Sequence, residues 1–334
     1  MHTGCVELIR HTRGPLVEVV HHGMVAVAGL GGQLLAAAGD AQAPVFTRST
    51  LKPFQALPFI LADGPQRAGF TAPQIALLCA SHSGEDMHVR EVDRMLQVAG
   101  VGVQKLRCGC HVPLRFTHTG QPMVPGLHYD ARHNNCSGKH AGFLVHCKQQ
   151  RLDLDSYLEP DHPLQRDIRR VVAHLAGIEP KALIAGMDGC SAPNYAMPLQ
   201  TLATFFARLA AGRAAPEFGV ALEILRDAMR DHPEMVSGTG RSDLAFTRAG
   251  RGDWITKIGA DGVQVLASLK RQQAIAVKVI SGHMPAVYAT LVVALDHLGW
   301  LDAAQREELA PWGPAALVNA SGKVVGETRA AFRF

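Results

Sequence analysis

Ser49-Thr50-Leu51-Lys52 is the one Ser-x-x-Lys in this chain. Residues three apart on a helix share a face, so the lysine amine can reach the serine hydroxyl and take its proton. The chemistry such a pair supports is acyl transfer: serine attacks a carbonyl carbon, an acyl-enzyme forms, and water releases the acid. The motif alone is weak, because 11 Ser and 9 Lys in 334 residues give roughly 0.3 matches by chance. Pro53 adds a positional argument. It lacks an N–H and its ring clashes with the carbonyl four residues back, so a helix containing it starts at about Ser49. The hydroxyl then lies at the positive end of a helix, which favours a developing oxyanion. Lys52 acts as a base only when neutral, so its pKa must fall several units from ~10.4 through burial or a neighbouring cation such as Lys257.

Two further pieces follow in order: Ser81-His82-Ser83 after an apolar helix, and Lys257-Ile258-Gly259 on a late strand. Serine β-lactamases and penicillin-binding proteins share this layout, with Ser-x-x-Lys, a second serine motif and Lys-Thr-Gly on a strand. Each piece also has an ordinary reading: a helix cap for Ser49, a solvated Lys52, a loop Ser81 and an exposed strand Lys257. Arg48, beside the proposed nucleophile, could hold a substrate carboxylate bidentately or make a plain surface ion pair.

A second constellation is rich in thiols. Asn134-Asn135-Cys136-Ser137-Gly138-Lys139-His140 and Gly186-Met187-Asp188-Gly189-Cys190-Ser191 are Gly-flanked loops, each holding a Cys beside other possible ligands. Zn²⁺ favours thiolate with nitrogen or carboxylate, so chemistry selects Cys136, Cys190 and either His140 or Asp188. The competing reading is two unrelated buried cysteines. Cys108-Gly109-Cys110-His111 is a third candidate cluster, or else a turn with buried thiols. Ser237-Gly238-Thr239-Gly240-Arg241-Ser242-Asp243 lacks the Gly-Lys-Ser/Thr ending of a phosphate loop and reads as a mobile loop near a pocket.

The elements that must position these residues are of two kinds. Val6 to Ile9, Leu16 to Val20, Met24 to Val27 and Gln33 to Ala36 alternate with turn signals, as antiparallel strands do, and strand signals return at 254–258, 263–267 and 274–280. Between them, 72–78, 89–98, 162–175, 199–211 and 220–230 carry apolar residues at helical spacing, and Ala286 to Leu298 is a further apolar helix. Segments 107–142 and 184–198 read as long functional loops. The expectation is an α+β fold in which N- and C-terminal segments share one antiparallel sheet around a largely helical insertion. It would be one elaborated catalytic domain, with a sheet part at about 1–48 and 250–334 and a helical part at about 49–249.

Composition sets outer limits. Apolar residues make up 47% and charged residues 19%, ordinary for a globular protein. A net charge of +4 without a basic run argues against nucleic acid as a partner. No apolar stretch approaches the ~20 residues of a membrane span, and the first residues lack a secretion signal, so a cytoplasmic protein is expected. Seven cysteines without an export signal point to thiols or metal ligands rather than disulfides.

At several of these motifs the chain resembles the rhizobial-type, or class 3, L-asparaginases. The resemblance rests on Arg48 to Ala56, Cys79 to His82, Cys108-Gly109, His133 to His140, Gly186 to Pro193, Gly238 to Arg241 and Lys257 to Gly262, nearly end to end. It implies a serine β-lactamase- and glutaminase-like fold, and hydrolysis of L-asparagine to L-aspartate and ammonia with little activity on glutamine. It implies two serine–lysine pairs, Ser49 with Lys52 and Ser81 with Lys257, Ser49 being the favoured nucleophile. It further implies Zn²⁺ on Cys136, Lys139 and Cys190, Asp188 beside the metal, substrate contacts from Arg48, His140 and Asp188, and a homodimer. A glutaminase or another β-lactamase-like amidase is the alternative. Cys110 is an extra thiol relative to that pattern, and Thr50-Leu51 is bulkier.

Overall fold

The computed structural model describes residues 4–118, 120, 122–123 and 125–334. The strands are β1 (Val6–Arg13), β2 (Leu16–Gly29), β3 (Leu34–Ala38), β4 (Pro44–Phe46), β5 (Ile184–Met187), β6 (Pro193–Pro198), β7 (Trp254–Gly259), β8 (Val263–Ser268), β9 (Gln273–Val279), β10 (Ala316–Val318) and β11 (Val324–Ala330). The main sheet runs β10-β11-β1-β2-β9-β8-β7, with β3 also on β2, and its pairings are antiparallel. Both terminal segments therefore build one sheet around a helical insertion, the α+β arrangement the sequence predicts.

Alternation along the central strands makes this sheet the middle layer. Met24, Ala26 and Ala28 of β2 face one core, together with Ala274 and Ala276 of β9. Val25 and Val27 face the other, with Ile275 and Val277. The first face is lined by alanines, which lets helix Leu199–Ala211 lie close on it. The second packs against helix Met284–His297 and against Phe246 and Ala249 of helix Ser242–Ala249.

The two short runs expected at 16–20 and 24–27 are halves of one strand. At the joint, Gly23 pairs with Val6 of β1 on one side and Val279 of β9 on the other. A Cβ there would lie 2.0 Å from Lys278 O and 2.7 Å from Leu8 Cδ1, so this glycine permits close packing rather than ending the strand.

The expected helices form as Ala72–Leu78, Asp86–Ala99, Pro163–Ala176, Leu199–Ala211, Gly219–Asp231 and Met284–His297. Two supposed loops are more regular than their composition suggests. Helix Ser137–Gln150 begins inside 107–142 and is buried at every position from Ser137 to Cys147, so it shows no apolar stripe. Segment 184–198 contains β5 and β6, which with β4 make a small antiparallel sheet in the order β4-β6-β5. Prolines at both ends of β6 disguise it. Among the described residues no helix is long and apolar enough to cross a membrane.

Candidate active site

Ser49 lies in a 3₁₀ turn, Arg48–Leu51, that runs into a helical turn, Lys52–Gln55, with Pro53 in its first positions. Helical structure thus begins where the proline argument put it. Arg48 has φ +50°, a left-handed conformation costly for a side-chain-bearing residue. Asn194 of β6 holds it there, donating from Nδ2 to Arg48 O at 3.0 Å and accepting from Arg48 N at 3.0 Å. The end of β7 presses on the same turn. A Cβ on Gly259 would lie 3.1 Å from Thr47 O and 3.2 Å from Arg48 Cβ.

Ser81 follows helix Ala72–Leu78, its N–H donating to Val236 O at 2.8 Å, and Lys257 stands fully buried on β7. Both lysines converge on this serine. Lys257 Nζ is 2.9 Å from Ser81 Oγ and Lys52 Nζ is 3.2 Å from it. Lys52 also donates to the carbonyls of Ala80 and, at 3.4 Å, Asn135. Lys257 donates to Ile258 O at 2.8 Å and lies 3.4 Å from Asp243 Oδ2. The expected contact between Lys52 and Ser49 is not made: among the described residues no hydrogen bond reaches Ser49 Oγ. Lys52 turns instead toward three oxygens that can satisfy its buried amine.

The proton inventory follows from these partners. Each lysine spends two N–H groups on oxygens that only accept. If neutral, either has a lone pair left for the Ser81 proton. Ser81 has one proton, so at most one of the two amines can receive it, and the other must donate as an ammonium. Lys257 is suited to be the neutral one. Burial pushes its pKa down to about 8, Lys52 and Arg241 push the same way, and Asp243 opposes them.

A pocket of about 310 Å³ opens over Ser49 and Ser81, lined also by Asn135, Arg241, Gly259 and Tyr288. Arg48 does not line it. Its guanidinium bonds Asp188 Oδ1 through Nε at 3.0 Å and Nη2 at 2.9 Å, and also pairs with Asp261. A larger cleft of about 750 Å³ lies on that side and is lined by neither serine, so the smaller pocket is where acyl chemistry fits.

The thiol cluster is built by the start of helix Ser137–Gln150 and the turn between β5 and β6. Lys139 Nζ lies 3.3 Å from Cys190 Sγ with Cys136 and His140 nearby, while the Cys136 thiol donates to Asn135 Oδ1 at 3.2 Å and, among the described residues, His140 Nε2 has no hydrogen-bond partner. The neighbouring Cys136, with Lys139 and His140 close by, pushes the Cys190 thiol far down despite burial; the Cys190 sulfur and burial push Cys136 up. Lys139 resists deprotonation here: burial lowers its pKa, but Cys190, Cys136 and Asp188 outweigh that and raise it.

Among the described residues no three His, Cys, Asp or Glu side chains are placed to hold a metal. The choice of His140 or Asp188 as third ligand is therefore not met. His140 Nδ1 is engaged by Tyr157 OH at 2.8 Å and Asp188 by Arg48. What does converge is two sulfurs and one amine nitrogen, all buried, a donor set that suits Zn²⁺ once the extra protons leave. Cys108 and Cys110 form no cluster with His111: their sulfurs approach Ala131 O and Tyr129 O, as turn thiols do. Helix Ser137–Gln150 is locked to the serine side by Gly138, where a Cβ would lie 2.5 Å from both Leu77 Cγ and Leu77 O.

Sequence reasoning passed over Asn194 and Tyr288, which carry no spacing signal. It noticed segment 237–243 but read it as mobile. That loop is packed: Ser237, Arg241, Ser242 and Asp243 are buried, and Thr239 bonds both oxygens of Glu85 at 2.8 and 3.0 Å.

Comparison with known proteins gives three findings. No curated protein matches the chain. A β-lactamase from Mycobacterium bovis is similar in structure at 14% identity and a TM-score of 0.39, over 87% of this chain and 94% of that one. A family model, L-asparaginase II, matches residues 9–330, nearly the whole length over which the sheet, the serine pocket and the thiol cluster are distributed, and the chain belongs to the L-asparaginase II family.

Proposed function

We propose that the protein hydrolyses L-asparagine to L-aspartate and ammonia through an acyl-enzyme on Ser49. Family membership supports an amidohydrolase acting on asparagine. The observation that carries the mechanism is the Ser81 hydroxyl held between Lys52 and Lys257 beneath the pocket that Ser49 also lines. Ser49 Oγ has free lone pairs and attacks the carboxamide carbon. Lys52, the ammonium of the pair, first passes a proton through Ser81 to the neutral Lys257; the amine so freed turns from Asn135 O, its longest bond at 3.4 Å, and takes the Ser49 proton. Ser81 joins Lys52 to Lys257, so the proton can be stored on Lys257 and returned to the departing ammonia. Water, activated by the same amines, then releases aspartate and restores Ser49.

Cys136, Lys139 and Cys190 would hold Zn²⁺, which would supply a fixed positive charge beside the Asp188–Arg48 pair. A second assignment makes Ser81 the nucleophile, favoured by the two amines already bonded to it. The test is ammonia release from asparagine, glutamine and a chromogenic β-lactam by wild type, Ser49→Ala and Ser81→Ala. Turnover of asparagine, lost in Ser49→Ala, supports the proposal. Substantial activity in Ser49→Ala moves the nucleophile to Ser81, glutamine turnover alone changes the substrate, and no turnover of any amide by zinc-loaded wild type ends the enzymatic reading.

A further inference from the structure

Arg241 is a buried cation without a counter-ion. It is 6% exposed and lines the pocket over Ser49 and Ser81. Its guanidinium carries five donors. Among the described residues it makes one side-chain hydrogen bond, from Nη1 to Ser83 Oγ at 3.3 Å, and no carboxylate pairs with it. The two nearby acids, Asp243 and Glu85, act on it only from a distance and form no ion pair with it. Asp243 Oδ2 faces Lys257 at 3.4 Å, and both Glu85 oxygens are taken by Thr239 at 2.8 and 3.0 Å. A buried charge is costly unless it is paired, and one placed in a pocket with its donors unspent is arranged for an anion that arrives with the substrate.

Arg48, the cation the family resemblance offers for that task, is in the opposite condition. Asp188 and Asp261 already pair with it, and it borders the larger cleft rather than the serine pocket. The loop that carries Arg241 is fixed before substrate arrives, by the Thr239–Glu85 clamp and by the Arg241 N–H donating to Gly238 O at 3.3 Å. Preorganisation of this kind lowers the cost of binding.

We infer that Arg241, rather than Arg48, receives the α-carboxylate of the substrate and is the residue by which the pocket demands an amino acid rather than a simple amide. The inference rests on the proposed asparagine hydrolysis and deepens it. Two measurements test it. In the first, calorimetry follows L-aspartate and succinate binding to wild type, Arg241→Gln and Arg241→Lys, with circular dichroism reporting folding. Arg241→Gln weakens binding by about 100-fold, the loss expected when a charged bidentate pair is removed, and Arg241→Lys, which keeps the charge but not the fork, falls between. If the glutamine variant does not fold, the lysine variant decides alone by a loss of about tenfold or more. Binding within threefold of wild type, or no binding of either dicarboxylate by wild type, overturns the inference.

In the second, kcat/KM is compared for asparagine and for 3-aminopropanamide, the analogue lacking the α-carboxylate. The preference for asparagine collapses by about 100-fold in Arg241→Gln. An equal loss on both substrates overturns the inference and leaves Arg241 as a group acting through Lys257. Wild type that releases no ammonia from asparagine, yet binds dicarboxylates in an Arg241-dependent way, refutes the proposed function and not the anion site.

Discussion

Asn194 grips the backbone of Arg48 at both ends, accepting from its N–H and donating to its carbonyl, each at 3.0 Å. The side chain thereby behaves like a neighbouring strand, and it keeps Arg48 at φ +50° directly before the proposed nucleophile. Backbone strain of this type costs about 1–3 kcal/mol and persists only where the surroundings over-determine it. Asn194→Ala removes both bonds, each worth about 1 kcal/mol, and lets Arg48 relax. We expect a lower Tm and a fall in kcat of tenfold or more with a smaller change in KM, measured by thermal melts and steady-state ammonia release. An unchanged kcat in a folded Asn194→Ala variant would mean that the turn holds its shape without this clamp.

The difference between Ser49 and Asn194 explains what could be read from the chain. Ser49, Lys52, Ser81 and Lys257 belong to short motifs whose spacing or order carries chemistry, so they stood out. Asn194 acts by reaching across 146 residues to Arg48, and no local pattern encodes such a contact. The sheet was legible because short runs rich in Val, Ile and Ala, separated by turn residues, recur along 254–280. Helix Ser137–Gln150 was not, because a helix buried all round has no periodic face, and β6 was hidden by its flanking prolines. The pairing of each lysine with one serine was the natural inference from order, yet both amines went to Ser81. Helical spacing sets which groups lie near each other, while the buried oxygens of Ala80 and Asn135 decide where an amine points.

The Lys257 amine sets a pH dependence with a definite sign. Its pKa is lowered from its ordinary 10.5 to about 8. As an acceptor it works only when neutral, so kcat/KM should rise as pH passes through about 8 and level off above it. Asp243 holds the proton on, so Asp243→Asn should move that limb to lower pH by about one unit or more. A limb that stays in place would show that the ionisation seen in kinetics belongs to another group. Stability follows the same sign. Between about 8 and 10.5 the unfolded chain keeps a proton that the folded Lys257 has released, so stability from this group rises with pH across that window.

Gly138 couples the serine half of the site to the thiol half. A Cβ at this position would lie 2.5 Å from Leu77 Cγ and Leu77 O, so alanine must push helix Ser137–Gln150 away from helix Ala72–Leu78. Overpacking in a dense core costs about 1–3 kcal/mol. The displaced helix carries Lys139, and the displaced partner leads into Ser81. Gly138→Ala should therefore lose stability by that amount and activity by more than stability alone predicts. Full activity per folded molecule, determined from active-site titration, would argue that the two halves tolerate sliding.

The proposed zinc site separates its two cysteines by protonation state. Cys190, 3.3 Å from the Lys139 amine, is pushed toward the thiolate, and Cys136, whose thiol donates to Asn135 Oδ1 at 3.2 Å, is pushed toward the thiol. Replacing Cys190 with serine leaves the buried Lys139 ammonium without its nearest anion, and breaking a buried pair from one side costs about 3–5 kcal/mol. Replacing Cys136 removes one neutral donor, a loss nearer about 1 kcal/mol. With metal excluded by chelator, Cys190→Ser should therefore melt well below Cys136→Ser. With zinc supplied, both should bind less than one equivalent by metal analysis, because each has lost a thiolate ligand, and both should weaken substrate binding more than they slow chemistry. Equal melting of the two variants without metal would refute the thiolate assignment, and a full equivalent of zinc retained by either would refute its role as a ligand.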